Sequence, residues 1–91
     1  MDSNIMVGQV VKSKSGRDKD RYFIVSKVLP KERMVFLVDG EKRLLARPKK
    51  KNICHIQVTN IFSRELAEKI QKGSEPCDQE IKRYLKKLQV D

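Results

Sequence analysis

Arg21-Tyr22-Phe23-Ile24-Val25-Ser26-Lys27-Val28 is the most apolar of several short segments that read as β-strands. Its aromatic and β-branched side chains favour a pleated, packed surface over a helix. Upstream, Val7-Gly8-Gln9-Val10-Val11-Lys12-Ser13 has the same texture. Downstream, Met34-Val35-Phe36-Leu37-Val38 reads as a third strand and runs into Asp39-Gly40. That dipeptide marks a tight hairpin, because both central positions of the turn need φ > 0. Lys42-Arg43-Leu44-Leu45-Ala46-Arg47 then reads as the fourth strand, and Ile53-Cys54-His55-Ile56-Gln57-Val58 as the fifth. Five short strands with no helical period between them predict a mainly β fold, a small five-stranded barrel. Closing the sheet removes edges that would otherwise pair with other chains.

From about Asn60 the pattern changes. Ser63-Arg64-Glu65-Leu66-Ala67-Glu68-Lys69-Ile70-Gln71-Lys72 contains good helix formers, with Ser63 as cap and Gly73 as stop. Pro76 stands near the start of a second helix that runs to about Leu88. Ile81, Leu85 and Leu88 share an apolar stripe there, with Tyr84 beside it. The expected organisation is therefore a barrel over residues 1–58 and a C-terminal α-helical extension of the same domain over 59–91.

A chain of 91 residues suffices for one domain with a small core. It has no tryptophan and few aromatics, poor material for a deep catalytic pocket. No apolar run approaches the roughly 20 residues that span a bilayer. Met1 to Met6 lacks the character of a signal peptide. Two cysteines in different segments, Cys54 and Cys77, fit reduced thiols and a cytoplasmic location. The net charge is +9, a field that attracts polyanions. Fourteen basic and five acidic residues fall between Val7 and Val58, against seven and six from Thr59 to Asp91. Essentially all the excess lies on the strand region, a sorting that solubility alone does not require.

Two segments concentrate that charge. The loop between the first two strands, with its flanks, holds Lys12, Lys14, Arg17, Lys19 and Arg21, partly offset by Asp18 and Asp20. Ser13 and Ser15 add hydroxyls, and Gly16 lets the backbone approach a phosphate closely. The second segment is Arg47-Pro48-Lys49-Lys50-Lys51, with Lys42 and Arg43 upstream. Three consecutive lysines are expected to be solvent-exposed and to grip phosphates as mobile point charges. Tyr22, Phe23 and Phe36 are the strand-region aromatics that could stack on bases, although core packing is their ordinary role.

The run from Gly8 to Val25 resembles a KOW motif: a strand, a basic loop with a glycine, and a second strand. The later Val38-Asp39-Gly40 and Arg47-Pro48-Lys49-Lys50-Lys51 make the order similar to that of small KOW-domain proteins of the archaeal and eukaryotic large ribosomal subunit, and of bacterial relatives. The resemblance covers about Val7 to Val58. It implies an SH3-like barrel and RNA, often ribosomal RNA, as partner. It points to Lys12, Lys14, Ser15, Gly16, Arg17 and Lys19 as contacts, and the second segment adds Arg43, Arg47, Lys49, Lys50 and Lys51. Many members carry glycine where this chain has Asp20, whose carboxylate would repel a phosphate or pair with a neighbouring cation.

Neither a cofactor nor a metal site is expected. His55 lacks a four-ligand set around it. Cys54 and Cys77 lack a recognisable activating base, and no phosphate-loop motif is present. The expectation is a non-catalytic RNA-binding module. The alternative is a protein-interaction adaptor using the barrel or the apolar face of the C-terminal helices. Membrane binding by the basic face is weaker, since no insertion helix accompanies it.

Overall fold

Phe23, Ile24 and Val25 are all at most 1% exposed. Successive strand residues face opposite ways, so this strand must be covered on both sides. A computed structural model, which describes residues 5–73 and 76–89, shows how. β2 (Tyr22–Leu29) lies at the centre of one antiparallel sheet with β1 (Gln9–Ser13), β3 (Met34–Val38), β4 (Lys49–Asn52) and β5 (Ile56–Phe62), in the order β4-β3-β2-β1-β5. Two helices follow, α1 (Arg64–Lys72) and α2 (Asp78–Gln89). The fold is mainly β with a helical C-terminal extension.

One sheet face carries Val11, Phe23, Val25, Val35, Leu37 and Ile56, joined by Ile5, Val28 and Ile53. Among the described residues neither α1 nor α2 contributes to this cluster, so the sheet must curl over its own side chains. The other face carries Val10, Ile24 and Val38 beneath Leu66 of α1 and Ile81 and Leu85 of α2. The helical stripe read from the sequence is thus spent on the sheet. Ile81 and Leu85 are buried and Leu88 is half-buried, so these residues form no exposed apolar patch.

The caps form as expected. Ser63 Oγ accepts the Leu66 N–H at 3.2 Å, and Gly73 ends α1 with φ 65°. The fourth strand does not form as expected. Residues 42–47 form a loop with only an isolated bridge between Leu44 and Arg47. The strand that pairs with β3 is the lysine run itself, in the register Leu37↔Lys49 and Val35↔Lys51. Asp39-Gly40 is not a two-residue hairpin, because only Gly40 of the pair has positive φ. Instead, Asp39 Oδ1 accepts the N–H groups of Glu41 and Arg43 at 2.9 and 2.8 Å. The loop is drawn toward α2, where Asp78 Oδ1 accepts the Leu45 N–H at 2.8 Å.

The fifth strand is also displaced. Ile53–His55 is a 3-10 turn in which Asn52 accepts the Cys54 N–H, and β5 continues to Phe62. The boundary drawn after Val58 therefore falls inside a strand. Among the described residues, no helix is long and apolar enough to cross a membrane.

Candidate nucleic-acid interface

The strand alternation sorts the basic residues. On β1, Val11 and Ser13 face the curled interior while Val10 and Lys12 face the other way. On β4, pairing with Val35 and Leu37 turns Lys51 and Lys49 inward and Lys50 outward. Lys51 is buried, and its Nζ donates to Ser13 Oγ at 2.9 Å and to the Ser15 carbonyl at 3.0 Å. Ser13 Oγ donates in turn to that carbonyl at 3.0 Å. Lys49 Nζ forms an ion pair with Asp18. β4 and β1 are three positions apart in the sheet, about 14 Å if it were flat. Only a curled sheet lets Lys51 reach Ser13.

The expectation that the three lysines are exposed is therefore corrected. Lys51 is interior, Lys49 is half-buried and paired, and Lys50 is exposed on the outer side, 3.0 Å from Glu32. A buried ammonium is tolerated because neutral oxygens accept its hydrogen bonds. Burial pushes the Lys51 ammonium below the usual lysine range, and the charge of Lys49 adds to this against the opposing pull of Asp18. The hydrogen bond from Lys49 holds the Asp18 carboxyl below its ordinary value. Burial opposes that shift, and the charges of Lys49, Arg43 and Lys51 reinforce it.

These contacts pin the loop between β1 and β2 at its base. Backbone bonds close it as well: Ser13 N to Arg21 O at 3.0 Å, Asp20 N to Ser13 O at 2.8 Å, and Lys19 N to Gly16 O at 3.2 Å. Lys14, Gly16, Arg17 and Lys19 are exposed on the loop, while Ser15 is half-buried with its carbonyl engaged. Lys14, Arg17 and Lys19 form no ion pair among the described residues. Asp20 takes φ 72°, a left-handed conformation that glycine adopts freely and aspartate tolerates. Among the described residues Asp20 pairs with no cation, Arg21 included.

The structure thus brings Ser15, Gly16, Lys49 and Lys51 together around Asp18, with Arg43 close enough for its charge to act there. It does not bring Lys12 to that cluster. Lys12 lies on the opposite face of β1, with its Nζ 5.5 Å from the Tyr22 ring centroid. Arg47 is exposed in the loop before β4, where its N–H bonds the Leu44 carbonyl. Of the aromatics, Phe23 is buried and Tyr22 and Phe36 are half-buried, whereas Phe62 on β5 is 39% exposed. Phe62 lies beyond Val58, where the sequence pattern places the end of the fifth strand, so local pattern does not single it out. Nor does anything local mark the partner of Asp18, which lies 31 residues away.

Among the described residues, no group of three or more His, Cys, Asp or Glu side chains is placed to hold a metal ion. Neither a scan against protein-family models nor a search of curated proteins finds a match for this chain.

Proposed function

We propose that the chain is a non-catalytic, cytoplasmic RNA-binding module of the KOW type, built on an SH3-like barrel and gripping phosphates of folded RNA, ribosomal RNA foremost. The observation that carries this reading is the loop between β1 and β2. Its base is fastened to β4 through Lys51 and Lys49, and its rim presents Lys14, Arg17 and Lys19 to solvent. A fastened loop loses little freedom when it meets a ligand, so its charges act at low entropic cost. Gly16, exposed and at φ 81°, has only the Lys51 Nζ near the place of a side chain, at 3.9 Å, and leaves the backbone accessible there. The barrel assignment is supported by the contact of β4 with the end of β1 across the curled sheet. In this reading Lys49 and Lys51 position the loop, and Lys14, Arg17 and Lys19 make the contacts. The adaptor alternative has less to rest on, because Ile81 and Leu85 are used in the core.

The test is filter binding of purified ribosomal RNA across a salt series. Cation–phosphate contacts release counterions, so affinity should fall steeply between 50 and 200 mM salt, roughly tenfold or more for three contacts. The triple variant Lys14→Gln/Arg17→Gln/Lys19→Gln should bind more weakly and show a shallower salt slope. Absence of binding by the unaltered protein at low salt, or binding that salt leaves unchanged, would refute the reading.

A further inference from the structure

The C-terminal segment is nearly neutral as a whole, but the fold sorts its charge. The acids of α2 stand in its first turn and are engaged: Asp78 accepts the Leu45 N–H, and Glu80 bridges Lys69 at 2.6 Å. The four cations Lys82, Arg83, Lys86 and Lys87 follow. At about 100° per residue they cover one side of the helix, opposite the stripe of Ile81, Leu85 and Leu88 that packs on the sheet. Among the described residues none of the four has an ion-pair partner. Lys82–Lys86 and Arg83–Lys87 are like-charge pairs at i, i+4, which weaken a helix. The helix dipole favours Lys86 and Lys87 in the last turn, but it does not account for Lys82 and Arg83.

One edge of this side, Lys82 and Lys86, adjoins the strand region, whereas Arg83 and Lys87 border a second cleft with Glu65 and Glu80. Lys82 and Lys86 line one narrow cleft with Arg21 and Tyr22, and Lys12 stands over the Tyr22 ring. Lys12, which the alternation of β1 separates from the Lys51 cluster, therefore belongs with the helix. Asp39 and Glu41 share the cleft. Asp39 Oδ1 accepts two backbone N–H groups and Glu41 is exposed, so two carboxylates oppose the cations of this cleft.

We propose that Lys82, Arg83, Lys86 and Lys87 of α2, joined through Arg21 to Lys12, form a second phosphate-contacting surface, so that bound RNA extends from the β1–β2 loop onto the C-terminal helix. This rests on the RNA-binding reading, and charge complementarity to the phosphate backbone selects the occupant. The helix is then both the cover of the outer sheet face and part of the interface.

The experiment compares three full-length proteins on purified ribosomal RNA over a salt series, with circular dichroism confirming the fold of each. The first is unaltered. The second is Lys82→Gln/Arg83→Gln/Lys86→Gln/Lys87→Gln. The third, Lys27→Gln/Lys31→Gln/Arg33→Gln/Lys72→Gln, removes the same charge elsewhere. Each lost phosphate contact should lower the magnitude of the log–log salt slope by about 0.7–0.9. The helix variant should therefore lose at least tenfold in affinity at 100 mM salt and about 2 or more in slope, with the third protein much less affected. Equal losses in the second and third proteins would reduce the effect to net charge and overturn the proposal. So would a helix variant that binds RNA normally, including one that has instead lost binding to phosphatidylserine vesicles. Failure of the unaltered protein to bind RNA would remove the broader reading, whereas normal binding by the helix variant alone leaves that reading intact.

Discussion

Lys51 and Asp18 show how single side chains are reassigned by their surroundings. Both stood in the sequence as members of a charged surface. In the fold, one ammonium is interior and the other member is a half-buried carboxylate held by Lys49. The Asp18 carboxyl titrates below its unfolded value of 3.8, so its contribution to stability is fully present above about pH 4. It is lost as the pH falls through the lower, folded value. Asp18→Asn should cost about 1 kcal/mol at pH 7, since the pair is only partly exposed to water. Urea denaturation at pH 7 and pH 2 checks this, and the gap between variant and unaltered protein should narrow at pH 2. A gap of unchanged size there would mean that the Lys49 pair is not its source.

At the scale of elements, the segment between β3 and β4 carries the largest departure from the sequence reading. Its path is set by α2, which approaches so closely that a methyl group on Gly40 would lie 2.2 Å from the Asp78 carbonyl oxygen. Gly40 also has φ 77°. Gly40→Ala combines left-handed strain with a clash against backbone and should cost on the order of 3 kcal/mol or more. Gly16→Ala has similar strain, φ 81°, but nothing closer than the Lys51 Nζ at 3.9 Å, and should cost about 1–2 kcal/mol. Chemical denaturation of the two variants separates the two effects. Hydrogen exchange should further show α2 loosened in Gly40→Ala and unaffected in Gly16→Ala. Equal costs would mean that the close approach of helix and loop is not a constraint.

For the molecule as a whole, the central strand joins two cores. Phe23 and Val25 point into the curled interior and Ile24 points under the helices. A loss on the helical side should therefore destabilise everything at once. Ile81 is fully buried, and Ile81→Ala should cost about 2–5 kcal/mol. Thermal unfolding should remain a single transition, with far-ultraviolet circular dichroism and tyrosine fluorescence moving together. An early, separate loss of helix would show the extension to be an independent unit. The same unity bears on function. Because α2 packs on the sheet, Lys82 and Lys86 share a cleft with Arg21 and Tyr22, and the proposed RNA surface depends on that packing being kept.

The first three strands, both helices, the Ser63 cap and the Gly73 stop were legible in the amino-acid sequence, because each follows from local preference and side-chain period. The concentration of cations around Ser13 to Arg21 was legible too, since it is a property of composition. The location of β4 was not, because strand pairing is non-local. The Asp39-Gly40 turn signal yielded to Asp78, which captures the Leu45 N–H 33 residues away. Nor was the inward turn of Lys49 and Lys51. That depends on sheet curvature, which places Ser13 within reach of a lysine 38 residues later in the chain. Local sequence therefore determined the first three strands, both helices and where charge is abundant. Tertiary structure decided which charges face water, because burying an ammonium is tolerable only where distant segments supply the oxygens that accept its hydrogen bonds.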